Sequence, residues 1–437
     1  MAGKNVLVKN IASLGIVQIA NFVFPLISVP IISRILGPEK FGIINFVGAF
    51  VVYFNMFIGY GFNLTATRRI TQFTDTVERR QLIFSEVFYC KIILFFISLI
   101  IFTNFVLFLP ALESERLLSV YAFIFCISSV LTQEWLFQAM QDLPRIALLN
   151  LLGKTIYIIS VLLLIRERSD YYWQPLMLSA SQVIISLISF VWAKKKYKIK
   201  LIFIPINRCF KLLWDDKTVF FSLAFTSIYT TVNVVVLGVL QSKESVGFYT
   251  AGQRLISVAQ LVITLPLAQV FYPYISKAFA VNKELGIQTV QKLLPIVIIS
   301  TVLLAIVMFV VGENVLMIFY GNDFAQSVIV FKILTFIPMF VAINNVMGVQ
   351  TILNLNLDKI YFKVIAINAF VSVITNILMV HQWGFIGCAI NWLFTEMLIC
   401  LILYFSIKKE GISVINMKYF MLSHFRGYYN ELAKKRF

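Results

Sequence analysis

The chain has 437 residues, 60% of them hydrophobic and only 13% charged, with a formal net charge of +17. That balance excludes an ordinary soluble domain and a disordered chain, and two histidines, His381 and His424, cannot build a His-rich metal site. The positive excess falls in connectors between apolar runs, so it is a topology signal rather than the basic face of a nucleic-acid binder.

A bilayer-crossing helix needs about 20 mostly apolar residues. Apolar runs of that length lie near 11–36, 41–66, 84–109, 116–139, 145–165 and 173–193. A second set lies near 218–240, 246–272, 292–313, 325–350, 360–380 and 384–407. The first run is too long for a signal-peptide core and lacks a small-x-small cleavage site, so it reads as a span. Gly153-Lys154-Thr155 resembles the end of a P-loop, but Leu148 stands where the first glycine is required, so no ATPase follows. The five cysteines are scattered without CxxC spacing and read as small buried hydrophobes.

Lys and Arg number 27 in one alternate set of connectors and 6 in the other. The positive-inside rule places the first set, and with it both termini, in the cytoplasm, which requires an even number of spans. The longest polar interruption, 194–217, divides the spans six and six. Its part after Pro205 reads as a short amphipathic helix on the anionic inner leaflet, with Asn207 as N-cap. The expected organisation is therefore 1–193, a basic linker 194–217, 218–407, and an interfacial aromatic and basic tail 408–437.

The two halves read as repeats. Arg34-Ile35-Leu36-Gly37-Pro38-Glu39-Lys40-Phe41-Gly42 and the stretch Gly238 to Gly247 each end an apolar helix, turn with a Glu and a Lys, and open the next span on Gly. Phe137-Gln138 with Asp142 matches Leu353-Asn354 with Asp358, and Gln182 matches Glu396. Halves of equal, even span number share one orientation, a repeat geometry found in transporters.

The stretch Ile32 to Gly42 resembles the signature after the first helix of polysaccharide-exporter flippases. Glu134-Trp135-Leu136-Phe137-Gln138-Ala139-Met140-Gln141 is similar to the fourth-helix signature of their O-antigen (Wzx-type) branch. His381-Gln382-Trp383-Gly384-Phe385-Ile386-Gly387-Cys388-Ala389 resembles the turn before their last helix. These proteins belong to the multidrug/oligosaccharidyl-lipid/polysaccharide (MOP) superfamily, with the multidrug extruders and the lipid II flippase. The resemblance implies an all-α polytopic membrane protein of about 12 transmembrane helices, in two six-helix lobes around a central cavity. It implies a flippase that turns an undecaprenyl-pyrophosphate-linked oligosaccharide from the cytoplasmic to the periplasmic leaflet of the inner membrane by alternating access. No bound cofactor is implied beyond coupling to H+ or Na+, and polymerase and chain-length proteins of the same pathway are the expected partners besides the lipid bilayer.

Charges inside spans are costly and mark functional candidates. Arg254 leads because the eighth span is one the resemblance sets beside the cavity; it either grips the pyrophosphate with its bidentate fork or snorkels to the outer interface. Arg34 either attracts the head group on exit or caps its own helix. Arg68 and Arg69 either meet the cargo on loading or anchor the second span at the inner face. Lys91, five residues after Glu86, contacts cargo or serves with Glu86 as an interfacial charge, and Lys154 contacts cargo or pairs with Glu134. Glu134 and Glu396 are the carboxylates for ion coupling, or simply lobe-interior hydrogen-bond acceptors. Pro25, Pro30 and Pro266 are expected to kink their spans, and Gly59 and Gly61 to soften the second, either as gates or as packing devices. A multidrug or cation antiporter would need acidic groups where this chain leans cationic. A polysaccharide polymerase would favour a large outer loop, whereas the longest here is near 166–173.

Overall fold

The apolar runs fold as helices, and among the described residues there is no strand. This computed structural model describes the backbone of residues 2–72 and 76–420, with side chains except at 2–14, 16–22, 226 and 228–230. Most of the expected interfacial tail, 421–437 with Phe425, Tyr428 and Tyr429, lies outside the described residues.

The chain forms two compact units. Unit 1, Met1–Gly247 with Phe319–Asp323, holds α1 (Ala2–Gly59), α2 (Phe62–Thr71), α3 (Val77–Phe108), α4 (Pro110–Glu113) and α5 (Arg116–Phe123). It continues with α6 (Phe125–Leu131), α7 (Glu134–Ala139), α8 (Leu143–Leu164), α9 (Trp173–Lys196) and α10 (Ile206–Leu240). α11 (Lys243–Pro266) starts in unit 1 and enters unit 2 at Phe248. Unit 2 carries α12 (Tyr272–Val281), most of α13 (Lys283–Tyr320), α14 (Ser327–Leu334), α15 (Ile337–Met347) and α16 (Asp358–Lys409).

Nine stretches among the described residues are long and apolar enough to cross a bilayer. Two of them, Val23–Thr71 and Asp358–Lys409, run 49 and 52 residues. Drawn straight they would extend about 74 and 78 Å, far beyond a hydrocarbon core of about 30 Å. Each is cut by a left-handed glycine, Gly37 (φ 70°) and Gly384 (φ 55°), at the places where the sequence separates two spans. A side chain at either position would strain the backbone, so glycine permits the break.

Other breaks lie inside single spans. The second span parts at Tyr60 (φ 47°) and Gly61 (φ 80°), where the Gly59–Gly61 soft point was expected. The fourth is in three pieces, α5, α6 and α7, and the tenth passes from α15 into a π-helical turn, Gly348–Ile352. Pro266 leads directly into a second π-helical turn, Leu267–Phe271, because its missing N–H disrupts the ladder there. Pro25 and Pro30 behave differently: both keep helical backbone angles, and the non-helical residue of α1 is Gly37.

The linker also departs from expectation. Pro205 (ψ 144°), not Asn207, precedes the first helical turn, and α10 runs unbroken from Ile206 into the seventh apolar run. No glycine or proline stands between Pro205 and Gly238, so nothing stops a helix once started.

The repeat pattern has a geometric counterpart. Gln141 (φ 54°) and Asn356 (φ 57°) close equivalent helix ends, with Asp142 N donating to Phe137 O at 2.8 Å and Leu357 N to Ile352 O at 3.1 Å. The structural register of this pair is one residue off the sequence match. At the other repeated turn, Gly42 and Gly247 pack onto each other's elbows. A Cβ on Gly42 would stand 1.7 Å from Lys243 O, and one on Gly247 2.0 Å from Pro38 O.

Candidate functional site

Three groups of charged and polar side chains stand out, two in unit 1 and one in unit 2. The first lies where α2, the start of α3 and the start of α10 meet. Glu86, 3% exposed, accepts from Arg69 of α2 and, at 2.5 Å, from Arg208 Nε of α10. Around it the linker is sewn to the lobe: Ile202 N donates to Ser85 Oγ at 3.1 Å, Gln81 Nε2 to Lys198 O at 3.2 Å, and Tyr60 Oη to Leu213 O at 3.0 Å. Tyr60 also stacks on Phe220 at 4.4 Å, so α10 clamps the break of the second span. Asp216 is buried here; burial pushes its carboxyl above the usual range, while the Arg69 and Arg68 charges pull the other way.

The inner face of this part of α10 is thus Cys209, Leu212, Leu213 and Asp216, all buried, while Ile206, Phe210 and Trp214 are exposed. Lys217 Nζ sits 3.2 Å above the Trp214 ring. The linker helix is amphipathic as expected, but its inner face rests on unit 1. Arg68 remains exposed; Arg69 is occupied by Glu86.

The second group surrounds the break in the fourth span. α6 ends at Leu131, leaving carbonyls without helical partners. Lys91 Nζ, on α3 and 4% exposed as a residue, donates to Ser129 O at 2.9 Å. A cation at a helix C-terminus is favourable both as a donor and against the helix dipole. The charges of Lys91 and Glu134 interact, and Glu134 Oε1 accepts from Asn150 Nδ2 at 3.3 Å. Ser129 Oγ bonds to Asn55 Oδ1. Glu86 and Lys91 are both buried, each with its own partners. Lys154, half-buried on α8, lies next to Gly153, which packs on Ile185 of α9.

A further set of connectors in unit 1 holds Arg34, exposed at the end of the first helical run and lying against Gly321. Arg168 Nη2 pairs with Asp323 at 3.1 Å, and Lys40 stands over the Tyr171 ring, whose hydroxyl donates to Glu115 at 2.8 Å. Lys243 Nζ donates to Gly238 O at 2.6 Å and caps the Phe46 ring at 3.7 Å.

Unit 2 carries the third group. Glu396, 5% exposed, accepts from Asn344 Nδ2 at 2.9 Å, and the same amide reaches Glu396 O at 3.1 Å. Beside it on α16, Ser372, Asn391 and Thr395 interlock: Thr375 Oγ1 donates to Asn391 Oδ1 at 2.6 Å, and Thr395 and Ser372 hydroxyls meet at 3.1 Å. The amide oxygens of Asn344, Gln350 and Asn368 are buried without a hydrogen-bond donor. Sequence reasoning found Glu396 but missed its amide partners, although asparagines recurring inside apolar runs were a readable signal. It also counted Arg208 only as a linker charge.

Arg254 is elsewhere in unit 2. It is exposed on α11, and Gln253, Ser257, Gln260 and Thr264, all partly exposed, share its side of the helix, while Thr250 one turn back is buried. Residues 246–252, just before Arg254, are all buried, whereas from Leu255 to Tyr272 only Ile256 and Leu267 are. A lipid-facing surface is apolar, so an arginine with a polar stripe is suited to water or a polar ligand. Among the described residues no group of three or more His, Cys, Asp or Glu is placed to hold a metal.

Repeated apolar helices long enough to cross a bilayer, two of the longest broken at glycines, define a polytopic membrane protein. Solved structures share the fold. "Lipid II flippase MurJ, inward closed conformation" aligns with a TM-score of 0.74 at 14% identity over 93% of this chain and 88% of that one. An inward-facing multidrug resistance MATE family transporter of the MOP superfamily aligns with 0.66 at 15% identity over 92% and 98%. At these identities the likeness is one of fold.

Residues 7–279 match the family model described as "Polysaccharide biosynthesis protein", and the chain belongs to that family. It is 26% identical over 407 residues to the "Putative O-antigen transporter" of Escherichia coli (strain K12), covering 93% of this chain and 98% of that protein. It is 25% identical over 406 residues to the protein of the same description from Shigella dysenteriae, covering 92% and 100%. The chain is a multi-pass protein of the bacterial inner membrane.

Proposed function

We propose that this chain is a flippase for an undecaprenyl-pyrophosphate-linked oligosaccharide, an O-antigen or related repeat unit, moving it from the cytoplasmic to the periplasmic leaflet by alternating access. The reading includes twelve crossings with both termini in the cytoplasm and no catalytic step. Full-length similarity to the O-antigen transporters supports it, and one observation carries it: an exposed arginine, Arg254, inside an apolar span, with Gln253, Ser257, Gln260 and Thr264 on its side of the helix. A guanidinium offers pyrophosphate a bidentate, charge-assisted grip. Arg34 and Arg68, both exposed, are the cations for the exit and loading ends, with Lys154 between them. Arg69 and Lys91 act indirectly, through the internal contacts they hold.

Coupling to H+ or Na+ would run through Glu396, with Glu134 as the second carboxylate. Glu396 can change occupancy without losing its Asn344 contact; transport by Glu396→Gln that still follows an imposed ion gradient would reject this role. The antiporter reading for cationic drugs is less favoured, because Glu396 is buried and the more exposed acid of unit 2's apolar runs, Glu313, is paired with Lys332 at 2.9 Å. Deleting the gene should strand lipid-linked repeat units on the cytoplasmic leaflet. Normal surface polymer in a clean deletion would overturn the proposal.

A further inference from the structure

A groove of about 450 Å³ opens on unit 1 between α3 and the α5–α6 pair. Its floor is Phe102 and Phe123, both nearly fully buried and stacked at 4.2 Å. Leu99, Leu107 and Val120 form the rim and are 37%, 52% and 50% exposed. The volume falls within the roughly 300–1,000 Å³ of sites that bury small apolar ligands. Two lining residues are polar. Thr103 turns its hydroxyl back to Leu99 O at 2.8 Å, which leaves Arg116 as the polar group facing the groove.

Arg116 stands at one end, at the first turn of α5. Its Nη2 reaches Leu107 O at 3.4 Å and Glu113 Oε1 at 3.8 Å, and its side chain is 48% exposed. Both contacts are long, and a guanidinium has five N–H donors, so the fork keeps donors for an anion. On α3 the lining runs from Phe95 to Leu107. Twelve residue steps are about 18 Å of helix, close to one leaflet of a hydrocarbon core about 30 Å thick. The groove is thus an apolar slot of leaflet depth with a cation at its mouth.

We propose that it is a binding site for an anionic phospholipid, one acyl chain lying along α3 over the Phe102–Phe123 floor and the phosphate on Arg116. The depth argues for this occupant over the proposed cargo, whose much longer polyprenyl tail would have to leave the slot. A chain seated there fills the gap between the third and fourth spans, where α5 and α6 part at Ile124.

The test uses the full chain in nanodiscs of phosphatidylglycerol doped with a phosphatidylglycerol probe bearing a mid-chain diazirine, followed by photolysis and peptide mapping. Labelling should concentrate on residues 95–107 and 120–127, several-fold above the exposed apolar face of α13 (Leu303, Ile306, Val310). Leu99→Trp, which fills the slot from its rim, and Arg116→Gln should each lower the groove label at least threefold and leave the α13 label unchanged. The unmutated protein gives an independent reading: excess phosphatidylglycerol should compete, and diacylglycerol or a polyprenyl phosphate should not. Groove labelling no denser than on α13, or competition by polyprenyl phosphate instead, overturns the proposal. Neither result bears on the flippase reading.

Discussion

Replacing Glu86 by Gln keeps the volume of the side chain and removes the charge that holds two arginines. The carboxylate is 3% exposed, while the Arg69 and Arg208 side chains are 29% and 48% exposed. The Arg69 bond is the better shielded and is worth about 1.5–3 kcal/mol as a charge-assisted hydrogen bond. The Arg208 bond is half in solvent and contributes about 0–1 kcal/mol. Glu86→Gln should therefore cost about 1.5–4 kcal/mol, Arg208→Gln about 1 kcal/mol or less, and the pair less than the sum because they share one contact. The loss falls on the seam between the linker and unit 1, so trypsin should cut within Lys194–Lys200 at least tenfold faster in Glu86→Gln in detergent or nanodiscs. Cleavage unchanged in Glu86→Gln, or faster in Arg208→Gln than in Glu86→Gln, would refute the assignment of Glu86 as the hub of this seam.

Gly247→Val should prevent recovery of folded protein, because its Cβ would stand 2.0 Å from the Pro38 carbonyl oxygen and no side-chain rotation relieves a backbone clash; a normal monodisperse peak on size exclusion would contradict this. Lys91→Met should cost about 3–5 kcal/mol, the scale of removing one partner from a buried charged contact, and appear as a sharp fall in membrane abundance. Wild-type abundance would show that the Ser129 carbonyl finds another donor. Asp216→Asn should slow linker cleavage at neutral pH. A carboxyl whose folded pKa is raised loses stability as pH climbs above its unfolded value of about 4, so the ionised form is a cost that the amide removes. Faster cleavage in Asp216→Asn at pH 7 would reverse the sign.

The architecture was legible where it depends on composition. Gly37 and Gly384 mark span boundaries because a long apolar run must turn and glycine permits the turn, and both are visible as glycines between apolar runs. The soft point at Gly59–Gly61 and the disturbance after Pro266 were legible for the same reason. Pro25 and Pro30 leave their neighbours at helical angles, so they make no break of the kind seen at Gly37. Asn207 misled because N-cap preference is a weak local signal, and Pro205 with a continuous apolar and charged run behind it decided the helix start.

The charges were legible as candidates but not as partners. Lys91 and Glu86 lie close in sequence, yet Lys91 serves a helix end 38 residues away and Glu86 an arginine 122 residues away. Only the packing of α3 against α6 and α10 brings those groups together. Arg254 was singled out through the span it lies in; its exposed position on α11 and the polar residues beside it come from the fold.

The most direct test of the flippase reading is complementation of a deletion strain with Arg254 variants, scoring surface polymer against membrane abundance of the protein. Arg254→Ala should abolish surface polymer at unchanged abundance, and Arg254→Lys should restore it only in part, because a point charge lacks the bidentate fork. Full surface polymer with Arg254→Ala would contradict the account.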